Sequence, residues 1–323
     1  MTGAGNEPAL PGEFALIARY FRPLAGPAAL GLADDAALLT PPPGRDLVLT
    51  ADAMVAGVHF LPDDPPDLVA RKLLRVNLSD LAAKGATPLG YLLTLAAPRA
   101  TAEAWFAGFA AGLARDQAAF AIALLGGDTT STSGPVSLSL TALGHVAPGG
   151  MIRRVGARAG DGVFVTGTIG DGALGLAVAQ GRIADPSGHL LDRYRLPRPR
   201  LGLLRPGLVA AAMDVSDGLV QDLGHLCRAA GVGATIEAAL VPLSPAARAV
   251  GPEGFAPCLT GGDDYELLLA VPAAAEPALR ARAAEQDVPL TRIGHFHAGP
   301  PGVIVRGADG TAMPLPVGGW SHF

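Results

Sequence analysis

The sequence predicts two domains of the α/β type. The chain has 323 residues, and at about 150 residues per domain such a length suggests two domains. Short apolar segments of strand length alternate with amphipathic segments of helix length. The pattern breaks at Pro148-Gly149-Gly150, which is typical of a connection rather than of a regular element. We therefore expect one domain at 1–148 and the other at 149–323.

In the first half, residues 13–22 carry Phe14, Ile17 and Phe21 at helical spacing, which predicts an amphipathic helix. The Pro-rich segment 41–46 predicts a turn. The remaining apolar runs separate by length and by their glycine or proline ends into helices and strands. The further helices predicted here are 67–84 and 102–118, and the strands are 46–52, 89–95, 120–125 and 136–146.

The second half repeats this alternation after the break. Residues 185–206 are rich in proline and arginine and predict a connection, and 207–213 are helical or extended. The predicted strands are 162–166, 234–238, 265–271, 290–297 and 302–306. The predicted helices are 173–181, 218–230 and 273–286.

Composition excludes several classes of protein. The net charge of −5 and the aromatic content of 5% argue against nucleic-acid binding. No uncharged apolar stretch reaches the ~18 residues of a membrane helix, and residues 1–12 lack the features of a signal peptide. Cys227 and Cys258 form no disulfide framework. We expect a cytoplasmic protein with no membrane partner.

Lysine is nearly absent, since Lys72 and Lys84 are its two occurrences. A P-loop requires Gly-Lys followed by Ser or Thr, yet Leu73 and Gly85 follow these lysines. The chain therefore has no P-loop. If it binds ATP, metal ions, arginine side chains and backbone amides must hold the phosphates.

Aspartates interrupt apolar runs in six places. A carboxylate at the end of a buried strand is costly unless it is compensated, and several converging carboxylates would repel one another until a cation entered. Magnesium takes oxygen ligands and binds phosphates, so the pattern predicts a metal-dependent site for a phosphorylated substrate. The aspartates are Asp34, Asp35, Asp52, Asp80, Asp128, Asp214, Asp217, Asp263 and Asp264.

Each of these residues also has a structural interpretation. A single aspartate commonly caps a turn, and Ser216 or Asp217 can serve as the N-cap of the following helix. Arg153-Arg154 suits either solvent or a phosphate. His59 lies in a predicted loop, and Trp320 either packs or covers an aromatic ligand. The spacing G-x-x-G-x-G at 167–172 differs from the dinucleotide fingerprint and indicates a tight turn.

Eight motifs in order along the chain resemble thiamine-monophosphate kinases. They are GEFALIARYF, GLADDAALL, TADAMVAGVHF, NLSDLAAKGATP, LGGDTT, VSDGLVQDLGH, GGDDYELL and the terminal SHF. The resemblance runs from about residue 12 to the end. It implies the two-domain fold of the aminoimidazole ribonucleotide synthetase-like superfamily, an α/β (α+β) fold in which each domain is a mixed sheet covered by helices. It also implies ATP bound without a P-loop, several Mg²⁺ ions and a homodimer formed through the N-terminal domain.

The resemblance further implies roles for individual residues. The N-terminal domain would bind ATP and magnesium, and the C-terminal domain would complete the nucleotide and substrate site. The implied magnesium ligands are Asp35, Thr50, Asp52, Asp80, Asp128, Asp214 and Asp217. The implied ATP contacts are Gly127, Asp128, Arg154 and Ser216. The implied thiamine-phosphate contacts are His59, Asp263 and Trp320, although a family Trp aligns with Val317.

The expected reaction is transfer of a phosphoryl group from ATP to thiamine monophosphate, giving thiamine diphosphate. A phosphate monoester is mostly dianionic at neutral pH because its second pKa is about 6, so no general base is expected, and Asp52 and Asp128 are the most critical side chains. One alternative is another ATP-dependent enzyme of the superfamily, of the purine-pathway type. The other is a non-catalytic divalent-cation-binding protein, although its typical D-x-D-x-D-G spacing is absent.

Overall fold

A computed structural model describes residues 12–315 and residue 319. The chain folds into two compact units. The first unit comprises Met1–Pro41, Ala51–Leu74 and Pro88–Leu143, and the second comprises Pro42–Thr50, Arg75–Thr87 and Gly144–Phe323. No helix in the described part is both long enough and apolar enough to cross a membrane.

Strands and helices alternate along most of the chain. The strands are β1 Asp46–Val55, β2 Thr87–Pro98, β3 Ala123–Thr132, β4 Ser137–Val146, β5 Gly162–Thr166, β6 Ala211–Asp214, β7 Gly233–Glu237, β8 Leu267–Val271, β9 Leu290–His297 and β10 Gly302–Arg306. The α-helices are α1 Glu13–Leu16, α2 Pro66–Ala83, α3 Glu103–Phe120, α4 Asp171–Ala179, α5 His189–Arg195, α6 Leu219–Ala230, α7 Pro245–Val250, α8 Phe255–Thr260 and α9 Glu276–Glu285.

The strands form two sheets. The first has four strands in the order β1-β4-β2-β3, and the second has six in the order β10-β7-β9-β5-β8-β6. Strands β2 and β3 pair in parallel, as do β7 and β10, whereas β5 pairs antiparallel with both β8 and β9. The predicted fold class, mixed sheets with helices, is confirmed.

The six-stranded sheet is covered on both faces. Successive residues of a strand point to opposite sides of the sheet, so neighbours in sequence pack in different clusters. Val163 and Val165 of β5 pack in a cluster with Leu219 and Leu223 of α6. Phe164, between those valines, packs in a different cluster with Leu279 of α9. Every residue of β5 and β8 is buried, which explains why both sequences are apolar except for Thr166 at the end of β5.

Two strands that carry predicted site residues are longer than predicted. The sequence suggested that the third strand ended at Leu125, but β3 continues through Gly126, Gly127 and Asp128 to Thr132 and stays paired with β2. Likewise, β1 continues past Asp52 to Val55. In β3 the continued pairing satisfies those backbone polar groups of this segment that face β2. Asp52 and Asp128 therefore lie within strands rather than beyond their ends.

The first helix also differs from its prediction. Glu13–Leu16 is an α-helix, but Ile17–Phe21 is a π-helix. A π-helical turn has a wider spacing than an α-helical turn, so the predicted apolar stripe does not hold, and Phe14 is 81% exposed. The predicted connection 185–206 contains α5, which forms because Leu190 and Tyr194 are buried.

Candidate active site

Asp35 and Asp128 line one cavity in the first unit. Its volume is about 700 Å³, and Asp34, Gly127 and Thr129 also line it. Asp34 Oδ1 accepts a 2.8 Å hydrogen bond from the Asp35 N–H, which shapes the loop after residue 33. Several carboxylates in one cavity favour the entry of a cation.

The backbone at Gly127 approaches the neighbouring strand very closely. A Cβ atom added at this residue would lie 1.7 Å from the carbonyl oxygen of Leu93 on β2. A Cβ at Gly126 would meet only the Leu92 side chain, at 3.6 Å. The resemblance implied that Gly127 contacts ATP. In the structure, the absence of a side chain at Gly127 allows β3 to pack closely against β2, whereas a Cβ atom at Gly126 would make only an ordinary contact.

Asp52 and His59 lie on β1 and on the turn that follows it. Thr50 and Asp52 are two residues apart on the strand, so they point to the same face. The Val55 N–H donates to His59 Nδ1 at 3.1 Å, which places the proton of a neutral imidazole on Nε2. Lys72 Nζ donates to the His59 carbonyl oxygen at 3.1 Å. The position of this histidine is therefore set at both backbone and ring.

A second cavity, in the second unit, combines acidic and basic groups. It has a volume of about 490 Å³ and is lined by Thr50, Asp80, Lys84, Arg153 and Arg154, among others. The Thr50 hydroxyl donates to Asp80 Oδ2. Carboxylate and hydroxyl oxygens suit Mg²⁺, and guanidinium and ammonium groups suit phosphate oxygens.

Lys84 is a residue of this cavity that the sequence interpretation did not assign. Its Nζ donates to the Ala212 carbonyl oxygen at 3.0 Å, and its own carbonyl oxygen accepts from the Ile152 N–H at 3.2 Å. Burial and the positive charge of Arg154 lower the pKa of the Lys84 ammonium group. Two features of the sequence could have indicated Lys84: lysine is scarce in this chain, and Lys84 lies four residues after Asp80.

Asp214 is 4% exposed at the end of β6. Burial, followed by the negative charge of Asp80, raises the pKa of the Asp214 carboxyl to about 7, and Ser79 and Lys84 oppose that rise. Asp80 and Asp214 are therefore close enough to repel each other. Their oxygen atoms, with the Thr50 hydroxyl, form a donor set that fits a divalent cation.

The segments around Ser216 and Asp263 are paired through their backbones. The Asp263 N–H donates to the Ser216 carbonyl oxygen at 2.9 Å, and the Tyr265 N–H donates to the Val215 carbonyl oxygen at 2.8 Å. The backbone φ angles are +71° at Asp263 and +51° at Tyr265, a conformation that is uncommon for residues other than glycine. The predicted nucleotide and substrate contacts of this unit are thus neighbours.

Buried Asp264 joins two turns of the second unit. The two oxygens of its carboxyl group accept from the N–H groups of Gly170 and Gly172, at 2.7 and 3.0 Å. The glycine-rich segment 167–172 is therefore a structural turn, as the sequence interpretation predicted. Arg193 Nη2 donates to the Asp264 carbonyl oxygen at 3.2 Å and to Glu266 at 3.0 Å, which completes a buried polar network.

We expect the carboxyl group of Asp264 to make the stability of the protein depend on pH. Burial raises its pKa from 3.8 to about 8. Between about pH 4 and pH 8 the folded chain then holds a proton that the unfolded chain has released, so unfolding becomes easier as the pH rises. We expect this group to lower the free energy of unfolding by up to about 1.4 kcal/mol per pH unit. Asp264→Asn should flatten the dependence measured by urea unfolding between about pH 5 and 7.5; an unchanged slope contradicts the expectation.

Three groups of predicted site residues are thus brought together. Within the first unit they are Asp35, Gly127 and Asp128, and within the second they are Thr50, Asp80, Arg154 and Asp214, with Ser216 paired to Asp263. Trp320 and Val317 lie outside the described residues.

Comparisons with known proteins define first the class and then the family. The family model described as AIR synthase related protein, N-terminal domain, matches residues 33–146, and the corresponding C-terminal domain model matches 158–306. The chain therefore has the two domains of AIR synthase related proteins. A thiamine-monophosphate kinase of Caulobacter vibrioides is 48% identical to it, over 97% of this chain and 91% of the relative.

Solved structures agree with this similarity. The crystal structure of thiamine-monophosphate kinase from Stenotrophomonas maltophilia K279a superposes with a TM-score of 0.80 at 41% identity, covering 94% of this chain and 98% of that one. A structure described as AaThiL complexed with AMPPCP and TMP gives a TM-score of 0.75 at 30% identity and covers 97% of both chains. The chain belongs to the thiamine-monophosphate kinase family, which confirms the resemblance seen in its motifs.

Proposed function

We propose that the protein transfers a phosphoryl group from ATP to thiamine monophosphate and forms thiamine diphosphate. The observation that carries the proposal is the second cavity, where Thr50 and Asp80 offer oxygen ligands beside Lys84 and Arg154. Such a site can hold a polyphosphate without a P-loop. The structure described as a complex with AMPPCP and TMP supports the same pair of ligands.

Magnesium fits this donor set because the predicted ligands provide carboxylate and hydroxyl oxygens. Asp35, Thr50, Asp52, Asp80, Asp128, Asp214 and Asp217 would hold the ions. When bound, Mg²⁺ would neutralise the charge of the phosphates and of the carboxylates during transfer. After burial, the negative charge of Asp80 is the next cause of the raised pKa of Asp214, and such a cation would relieve the repulsion between the two carboxylates.

Residues of the protein bind and orient the two reactants. Arg154 and Lys84 line the cavity as cations, and we assign Arg154, Gly127, Asp128 and Ser216 to ATP. We assign His59 and Asp263 to thiamine monophosphate. The acceptor is already mostly dianionic near neutral pH, so the task of these residues is to bring two anions together in line rather than to remove a proton.

Measuring ADP formation with and without thiamine monophosphate tests this function directly. The purified protein, ATP and Mg²⁺ should form ADP only when thiamine monophosphate is present, with an equal amount of thiamine diphosphate as the second product. Mg²⁺ binding without ADP formation in any mixture would favour a non-catalytic cation-binding protein. ADP formation that is independent of thiamine monophosphate would favour another enzyme of the superfamily.

His59→Ala tests the substrate assignment separately. We expect KM for thiamine monophosphate to rise by about 10–100-fold, the equivalent of one hydrogen bond to a charged group. KM for ATP is the internal control and should change little, and kcat should fall less than KM rises. An unchanged KM with a collapsed kcat would instead make His59 part of the transfer step.

A homodimer formed through the N-terminal domain is supported by exposed apolar side chains. Phe14 is 81% exposed and Leu92 is 40% exposed, and both line the acidic cavity of the first unit. Exposed apolar groups around a site commonly mark an interface. Sedimentation should give twice the mass of one chain, and a monomer at micromolar concentration would refute the dimer.

We also propose that residues 1–148 bind ATP and magnesium and that residues 149–323 complete the nucleotide and substrate site. A cytoplasmic location is also proposed. It is supported by Cys227 and Cys258, which are both buried and unpaired with each other, as thiols usually are in a reducing compartment.

A further inference from the structure

Asp222 lies in the first turn of α6 and is 1% exposed. Its Oδ2 accepts hydrogen bonds from three consecutive backbone N–H groups, those of Ser216, Asp217 and Gly218, at 3.0, 3.0 and 3.2 Å. The N-cap residue of α6 is Gly218, and no side chain caps the helix there. Asp222 instead reaches back from the first turn to the N–H of the N-cap and to the two N–H groups before it, as the acidic residue of a capping box reaches back to the N-cap N–H.

The turn held by this carboxylate is also packed from the other side. A Cβ atom at Gly218 would lie 2.7 Å from the Thr260 carbonyl oxygen, and the backbone φ of Gly218 is +119°. The Ser216 carbonyl oxygen accepts from the Asp263 N–H at 2.9 Å. The positions of Ser216 and Asp217 thus depend on a few close contacts of their backbone, among them the hydrogen bonds that their N–H groups donate to Asp222.

The contacts of Asp222 and His225 decide whether Asp222 is a positioning residue or a metal ligand. Among the residues that the structure describes, the ligand atoms of Asp217, Asp222 and His225 lie within 4.8 Å of one another, and Asp222 Oδ1 is buried with no hydrogen-bond partner. However, His225 Nδ1 lies 3.0 Å from Arg228 Nη2, which can only donate. A ring nitrogen committed to a guanidinium, and a carboxylate already binding three N–H groups, make a poor ligand set.

We propose that Asp222 is a positioning residue, which fixes the Ser216–Gly218 turn so that the Ser216 and Asp217 side chains meet the nucleotide and its cation. This inference rests on the proposed function only in assigning ATP and magnesium to Ser216 and Asp217. Asp222 itself contacts neither reactant and acts through the backbone N–H groups that it holds.

Asp222→Asn and Asp222→Ala separate geometry from charge. The asparagine carbonyl oxygen can accept from the same three N–H groups, and its amide replaces the oxygen that has no partner. Alanine removes the acceptor. We expect Asp222→Ala to weaken binding of a non-hydrolysable ATP analogue with Mg²⁺ by about 10–100-fold, as supporting contacts of a ligand site typically do. Asp222→Asn should keep most of the affinity, and KM for thiamine monophosphate should change less than KM for ATP.

The control is Asp192→Ala, since the Asp192 side chain is half exposed in the same unit. Calorimetric titration with the ATP analogue measures binding without turnover, so the result is independent of whether thiamine monophosphate is the acceptor. If Asp222→Ala does not fold, Asp222→Ser, which keeps a short acceptor, replaces it. Equal losses in the Asn and alanine or serine variants, with folding intact, would overturn the proposal in favour of a charged metal ligand. Unchanged analogue binding in Asp222→Ala would overturn it in favour of a purely structural role.

Discussion

Replacing Asp128 with asparagine is expected to reduce kcat by about 10²–10³-fold, the cost of losing one group that stabilises developing charge in a transition state. Asp52→Asn should have an effect of the same size. In the proposed mechanism, these two carboxylates are ligands of the cations that neutralise the phosphates. An amide keeps the shape of the side chain but loses its negative charge, so the Mg²⁺ concentration that gives half-maximal rate should also rise.

The fold should survive the Asp128 substitution because Asp128 is exposed on β3 and shares its cavity with Asp34 and Asp35. Without a cation these carboxylates repel one another. Removing one of them should therefore leave the free energy of unfolding within about 0.5 kcal/mol of the original value, as is usual for surface substitutions. The expected pattern is a large loss of activity with little loss of stability.

Asp63→Asn provides the matched control, since Asp63 is an exposed aspartate of the first unit outside the candidate site. Steady-state rates over a range of Mg²⁺ concentrations and urea unfolding without Mg²⁺ measure both properties. Near-normal turnover in both Asp128→Asn and Asp52→Asn would refute the shared-metal mechanism. A loss of turnover in Asp63→Asn of similar size would show that the effect is not specific.

The sequence predicted the strand that leads to Asp128, but it did not predict how far that strand continues. The apolar run before Gly126 predicted a strand, and the aspartate after it predicted a site. Yet β3 continues through Asp128, because pairing with β2 extends to Thr132. Strand length depends on the partner strand, which is far away in sequence, so a single apolar run could not show where the pairing ended.

Three roles that the sequence did not predict share a physical cause. Lys84, Asp222 and Asp264 act through backbone groups, and for Lys84 and Asp264 these lie far away in sequence: Lys84 on Ala212 and Asp264 on Gly170 and Gly172. Asp222 acts on a nearby turn, but as a residue inside a helix rather than at its N-cap. Local composition does not show which backbone groups such a side chain will contact. The motif resemblance implied which side chains contact ligands, but it did not imply which residues hold those side chains in place.

Gly127→Ala is expected to be the more destabilising of the two glycine-to-alanine substitutions that β3 allows. At this position the backbone φ is +152°, and a Cβ would lie 1.7 Å from the Leu93 carbonyl oxygen, 2.6 Å from its carbon and 2.9 Å from the Leu93 nitrogen. All three atoms are backbone, so no side-chain rotation relieves the overlap. Strands β2 and β3 must move apart and lose hydrogen bonds, at a cost on the order of 3–5 kcal/mol.

Gly126→Ala is the matched control one residue earlier on the same strand. Its Cβ would meet only Leu92 Cδ2, at 3.6 Å, which is ordinary contact. Because alanine also has less conformational freedom than glycine in the unfolded chain, this change should be neutral or stabilising by about 0.4–1 kcal/mol. Urea unfolding of both variants measures the difference, and the displaced Asp128 in Gly127→Ala should lose Mg²⁺-dependent activity as well. Similar unfolding midpoints for the two variants would show that β2 and β3 do not pack as closely as the structure places them, and the positioning of Asp128 would then need another cause.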